Sequence, residues 1–164
     1  MHPHPHPHAQ TLDKFYRAFA ALDSATMRGC YAPDVRFEDE VFTLHGVDEV
    51  AGMWDMLCSA TRAKGLAHWK LEFSGIEADD KAGCAHWDAH YRFSATGRLV
   101  LNRIDGSFTF TPEGLIATHR DHFDFWAWSR QALGTPGFLL GWTPLLRNKV
   151  RRQADANLRK FLAR

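Results

Sequence analysis

The sequence predicts an α+β fold. Helices come first, one strongly curved, mainly antiparallel sheet wraps around them, and a helical extension closes the chain. Three observations carry this. Apolar residues recur at helical spacing through the N-terminal third. Residues 69–125 then alternate apolar and polar side chains between tight turn signals. Helical spacing returns after residue 142, on a basic segment. Helices segregated from hairpin-linked strands exclude a parallel α/β arrangement. A sheet curved around helices has one concave face, which makes an apolar pocket.

The elements follow in order. Leu12, Phe15, Tyr16 and Phe19 fall at i, i+3, i+4 and i+7, one face of a helix beginning after Thr11. Ser24 caps a short second helix running to about Tyr31, and Pro33 ends it. Residues 35–41 form a short strand. Val47, Val50, Ala51, Trp54, Leu57, Cys58 and Thr61 repeat the helical spacing, and Gly65 stops that helix. Strands then cover 69–77, 84–93, 99–110 and 115–125, joined by turns at Asp79-Asp80-Lys81, Thr96-Gly97 and Pro112-Glu113-Gly114. Residues 126–142 are apolar and punctuated by Gly and Pro, so they pack on the domain or on a second subunit. Thr143-Pro144 is an N-cap and first-turn pair, and Leu146, Val150, Ala154, Leu158, Phe161 and Leu162 form the stripe of a last helix.

The 164 residues suit one domain: a His/Pro tail at 1–10, a body at 11–128 and an extension at 129–164. Hydrophobic residues make up 45% and aromatics 13%, which excludes a disordered chain. No apolar run approaches a membrane span, the N-terminus has no secretory apolar region, and a net charge of +1 argues against nucleic acid. Alternating Pro in MHPHPHPHAQ favours an extended tail over a helix. Cys30, Cys58 and Cys84 are odd in number and lack metal or disulfide spacing, so a reducing cytoplasm, packing thiols and no metal are expected. Residues 142–164 carry seven basic side chains against Asp155 alone, while 11–60 carry nine acidic and four basic. Such a helix can suit an anionic surface or nucleic acid, but without an aromatic or Gly-rich RNA motif the preferred reading is a solvated face lying near the acidic half of its own or a partner subunit, with no membrane and no nucleic-acid partner.

The functional signal is polar side chains on faces that should be apolar. His119 and Asp121 share parity with Phe123 and Phe125, Asp39 with Val35 and Phe37, and Asn102 with Val100, Ile104 and Phe108. Tyr16 lies on the buried stripe of the first helix and Tyr91 on the aromatic face of its strand. Asp39, His119 and Asp121 are therefore candidate acid–base groups, since burial raises a carboxyl toward working pH and His119 can pair with Asp121. Tyr16, Phe37, Trp54, Trp87, Tyr91, Asn102, Phe108 and Phe123 are the candidate pocket residues. Gly106 is a candidate bulge that would shift parity. His86, Asp88 and His90 point the other way, toward solvent.

The element order, the Pro112-Glu113-Gly114-Leu115-Ile116 hairpin and the strand Arg120-Asp121-His122-Phe123-Asp124 resemble the nuclear transport factor 2-like superfamily over residues 11–128. Its members include SnoaL-like polyketide cyclases, ketosteroid isomerases and limonene epoxide hydrolase. The resemblance implies a cone-shaped fold around a deep apolar pocket, a homodimer, and a catalytic Asp at Asp121. The isomerase's proton-shuttling Asp falls on Asp39, in Phe37-Glu38-Asp39, while its helix-one Tyr would fall near Ala18. The epoxide hydrolase's Arg-x-Asp reads His86-Trp87-Asp88 here. The expected function is cofactor-independent acid–base chemistry on a small hydrophobic molecule: isomerisation, cyclisation, dehydration or hydration. The same residues also suit a non-catalytic binding module or a dimeric interaction module.

Overall fold

The structure is a computed structural model and describes residues 5–164. Helix α1 spans Pro7–Ala20, α2 Ser24–Gly29 and α3 Val47–Ala63. Strands β1 (Tyr31–Glu38) and β2 (Thr43–His45) lie between α2 and α3. Strands β3 (Lys70–Ala78), β4 (Ala82–Arg92), β5 (Leu99–Phe110) and β6 (Ile116–His122) follow. Helices α4 (Phe125–Leu133), α5 (Thr135–Leu140) and α6 (Pro144–Leu162) close the chain. The six strands form one open sheet in the order β2-β1-β6-β5-β4-β3. Every pairing is antiparallel except β1 with β6. The sheet curves around α1 and α3 into a cone, and the predicted α+β class holds.

The first helix begins earlier than its apolar stripe announces. Pro7 sits in the first turn, where its missing N–H costs nothing, and the His6 ring accepts the His8 backbone N–H. His8 is buried and stacks on Phe110 with ring centroids 4.2 Å apart. The tail predicted over 1–10 is thus helical from Pro7 onward, while residues 1–4 lie outside the described residues. Leu12, Phe15, Tyr16 and Phe19 are all essentially inaccessible, as their spacing requires.

Two further boundaries differ. Asp23, not Ser24, caps α2, accepting the Thr26 N–H, and Ser24 donates to Asp55 instead. The chain turns extended at Tyr31, before Pro33, and the β1–β6 register slips between Tyr31 and Arg36, so Pro33 sits off the regular ladder where its missing N–H is tolerated. On β5 the register against β6 shifts not at Gly106, which pairs directly with Asp121, but between Thr109 and Phe110. That slip buries Ile116 as well as His119, which straight alternation forbids. The last strand ends at His122, because Asp124 caps α4 by accepting the Ala127 N–H.

The C-terminal helices pack on the cone. Thr143 caps α6 as read from sequence, and Leu158 is fully buried. The Leu162 side chain of α6 occupies the space beside Gly52 of α3 that a larger residue would fill. Arg147 pairs with Glu40 at 3.3 Å and Arg159 with Glu49 at 2.8 Å, which ties part of the basic helix to the acidic N-terminal half. Cys30 and Cys58 are buried free thiols, whereas Cys84 is exposed and does not pack as predicted.

Candidate active site

β6 delivers two polar side chains into an aromatic interior. Its parallel partner sets Phe37 beside His119, and its antiparallel partner sets Gly106 beside Asp121. Gly106 is an opening rather than a bulge. A methyl there would lie 3.0 Å from the Tyr16 hydroxyl and 3.1 Å from Asp121 Oδ1, so the missing side chain lets both groups occupy that space.

His119 and Asp121 are each 2% exposed and joined by a 2.8 Å hydrogen bond from Nε2 to Oδ1. On its other side, His119 Nδ1 lies 2.8 Å from the Tyr31 hydroxyl, which in turn receives the Trp54 indole N–H at 2.9 Å. A carboxylate only accepts, so Nε2 carries the proton. In a neutral imidazole Nδ1 then accepts, and Tyr31 donates to it while accepting from Trp54. The four side chains form one buried relay with a single direction. Phe108 and Phe37 flank the imidazole, with ring centroids 4.3 and 4.9 Å from it. Burial pushes the Tyr31 hydroxyl well above its ordinary pKa, so it stays a proton-bearing donor.

Asp39 reaches the site by another route. It lies just past the end of β1, where its Oδ1 accepts the backbone N–H of Val41 at 2.7 Å and of Phe42 at 2.6 Å. That turn returns the chain into β2. Burial raises the Asp39 carboxyl to about 7, against the pull of the two backbone N–H groups; the nearby Asp121 charge adds to the rise and Arg151 opposes it. Oδ2 has no hydrogen-bond partner among the described residues.

A cavity of about 730 Å³ opens between the concave sheet, α3, α4 and α6. Of the predicted site residues, Asp39, Trp54, Trp87, Tyr91, Asn102, Asp121 and Phe123 line it. Tyr16, Phe37, Phe108 and His119 sit behind that wall, where they hold its residues in place rather than face the open space. The Tyr91 hydroxyl accepts the Trp128 indole N–H at 2.8 Å, and burial lifts its pKa to about 12. The Trp87 indole N–H and the Tyr16 hydroxyl are buried without a hydrogen-bond partner among the described residues.

Residues on the other sheet face stay out of the cavity. His86 lies between two carboxylates, 2.8 Å from Asp105 and 2.9 Å from Asp88, and the hydrogen bond to Asp105 raises its pKa most. Asp88 therefore faces away from Asp121, and the arrangement differs from the epoxide hydrolase pattern. Among the described residues no group of His, Cys, Asp and Glu is placed to hold a metal ion.

Sequence reasoning missed three contributors. Tyr31 was assigned to a helix end, although it shares parity with Val35 and Phe37; carrying the strand back past Pro33 would have found it. Leu146 and Val150 line the cavity from α6. Their apolar stripe is legible in the sequence, but the surface it faces is not.

The SnoaL-like domain profile matches residues 12–119, about two thirds of the sequence and most of the cone. The chain belongs to the SnoaL-like domain family. Solved structures agree at the level of the fold. A putative polyketide cyclase from Xanthomonas campestris pv. campestris superposes with a TM-score of 0.61 at 16% identity, covering 76% of this chain and 96% of that one. An LEH-like epoxide hydrolase from M. tuberculosis gives 0.59 at 20% identity, covering 84% and 96%. An NTF2-like protein of unknown function from Cytophaga hutchinsonii gives 0.57 at 11% identity, covering 76% and 95%. No curated protein matches the sequence. In this SnoaL-like chain the family region ends at β6, so the three C-terminal helices, which supply part of the cavity wall, lie beyond it.

Proposed function

We propose that this SnoaL-like protein binds a small, largely apolar molecule in its cavity and moves a proton on it, with Asp121 as base and Asp39 as acid. One observation carries the reading: one aromatic-walled cavity holds two carboxyl groups anchored in different ways, Asp121 by the His119 ring and Asp39 by two backbone N–H groups under burial that favours its neutral form. Groups whose environments separate them in this way divide the acid and base roles. Asp121 is anchored through Oδ1 by His119, which leaves Oδ2 to take a proton. Asp39 is anchored through Oδ1 by two backbone N–H groups, which leaves Oδ2 to give one near neutral pH. Tyr91 and Asn102 supply hydrogen-bonding groups for a substrate oxygen. Isomerisation, cyclisation, dehydration and hydration all fit this pair without a cofactor.

The test is exchange or turnover on β,γ-unsaturated ketones, β-keto esters and epoxides, followed by NMR in deuterated water. Asp121→Asn is expected to lower the rate about 10²–10⁴-fold while the unfolding temperature barely moves. Absence of exchange and turnover across the panel, with ligand binding intact in wild type and variant alike, would identify a binding module instead.

A further inference from the structure

The α4–α5–α6 corner breaks the rule that large apolar side chains are scattered singly over a surface. Phe138 is 59% exposed, Leu139 58%, and Trp142 and Leu145 70% each. These are not residues of a loose loop. Methyl groups on Gly137 and Gly141 would lie 1.9 Å from the Ser129 carbonyl and hydroxyl oxygens, so both glycines press α5 directly against α4. With the small residues turned inward, the bulky ones between and beside them must face out. The corner is further tied by the Trp126 indole N–H donating to the Phe138 carbonyl and that of Trp142 to the Leu139 carbonyl.

Charge around the corner has one sign. Residues 125–154 contain Arg130, Arg147, Lys149, Arg151 and Arg152 and no Asp or Glu. Arg147 and Arg151 are spent on Glu40 and Thr43. Arg130, Lys149 and Arg152 have no carboxylate partner among the described residues. The corner also adjoins the cavity: Pro136 of α5 and Leu146 and Lys149 of α6 line it. Among the described residues no helix is long and apolar enough to cross a membrane.

We infer that this corner docks the protein on an anionic lipid surface, with Phe138, Leu139, Trp142 and Leu145 entering the acyl boundary and Arg130, Lys149 and Arg152 meeting the headgroups. Exposed Trp, Phe and Leu beside cations that no carboxylate neutralises are the composition that binds at an interface without spanning it. A two-fold pairing of this corner with a second copy sets like charges against each other. The acidic groups of the N-terminal half nearest α6, Glu40 and Glu49, are already paired within the chain. Docking here brings the part of the cavity lined by Pro136, Leu146 and Lys149 next to the bilayer, which suits a ligand that partitions into lipid. The docking itself does not rest on the acid–base reading, because binding to lipid is measured without turnover.

The experiment is flotation of the full chain with phosphatidylcholine vesicles, with and without phosphatidylglycerol as a third of the lipid. Binding is expected to the anionic vesicles and to fall steeply as salt is raised. Trp142→Ser with Leu145→Ser should abolish it. Arg130→Glu and Arg152→Glu should each weaken it by about fivefold or more. Leu66→Ser, at an exposed leucine in the short 3-10 turn before β3, should leave it unchanged. The inference is overturned if the protein fails to float with either vesicle. It is also overturned if light scattering shows a dimer that Trp142→Ser dissolves, since a second copy then covers the corner.

Discussion

On the β6 side of the cavity, Asp121 ends a relay of four side chains in which each hydrogen bond fixes the direction of the next. On the β1–β2 side, Asp39 hangs on two backbone N–H groups and meets no other side chain within hydrogen-bond distance among the described residues. The first arrangement satisfies the charge by a dedicated partner; the second leaves it to burial, which favours the neutral form. The difference shows how one fold keeps two like groups in one cavity: burial holds Asp39 neutral up to about pH 7, so a second charge is not forced on the site.

Breaking the relay is expected to have the largest effect. His119→Ala leaves the Asp121 carboxylate and the Tyr31 hydroxyl buried without their partner and opens a space among Phe37, Trp54 and Phe108. A loss of about 3–5 kcal/mol in urea unfolding is expected. A loss under 1 kcal/mol would mean that the relay is not structural.

Asp39→Asn tests the opposite side, and its sign is reversed. The folded carboxyl titrates at about 7, above its unfolded value of 3.8. Its stabilising contribution is therefore complete below about pH 4 and is lost as pH rises to about 7. Asparagine keeps the Oδ1 acceptor for Val41 and Phe42 and has no charge to lose. The variant is expected to match wild type near pH 4 and to exceed it by about 2–4 kcal/mol at pH 8, read from melting across the pH range. A pH-independent difference would place the Asp39 titration elsewhere.

Tyr31→Phe sharpens the comparison with the smallest change. It removes one oxygen, leaves the Trp54 indole N–H and His119 Nδ1 unpaired, and is expected to cost about 1–3 kcal/mol. Asp121 still holds the proton on Nε2, so the tautomer is kept while the Nδ1 resonance of His119 in NMR should move as its donor is lost.

Much of the cone was legible because alternation and helical spacing are local. Phe123 and Trp87 point inward as their parity requires, and Thr143 caps α6 as its neighbour Pro144 announces. Asp39, Asn102 and Asp121 were found by the same reasoning, since a polar residue on an apolar face stands out without knowing the fold. Parity says which face a side chain takes but not its depth behind that face. For this reason Tyr16, Phe37, Phe108 and His119 were grouped with the wall residues they support. Ile116 escaped for a related reason, because the slip opposite Phe110 is a property of pairing between strands.

The sequence by itself determined the helices, the hairpins and the apolar face of each element, because these follow from periodicity within single segments. Only the tertiary structure decided that Tyr31 and Trp54 close a relay onto His119, that Gly106 makes room for Asp121, and that α6 walls the cavity while Phe138 and Trp142 stay outside it. Those outcomes depend on contacts between segments far apart in the chain, and no local pattern encodes which face meets which.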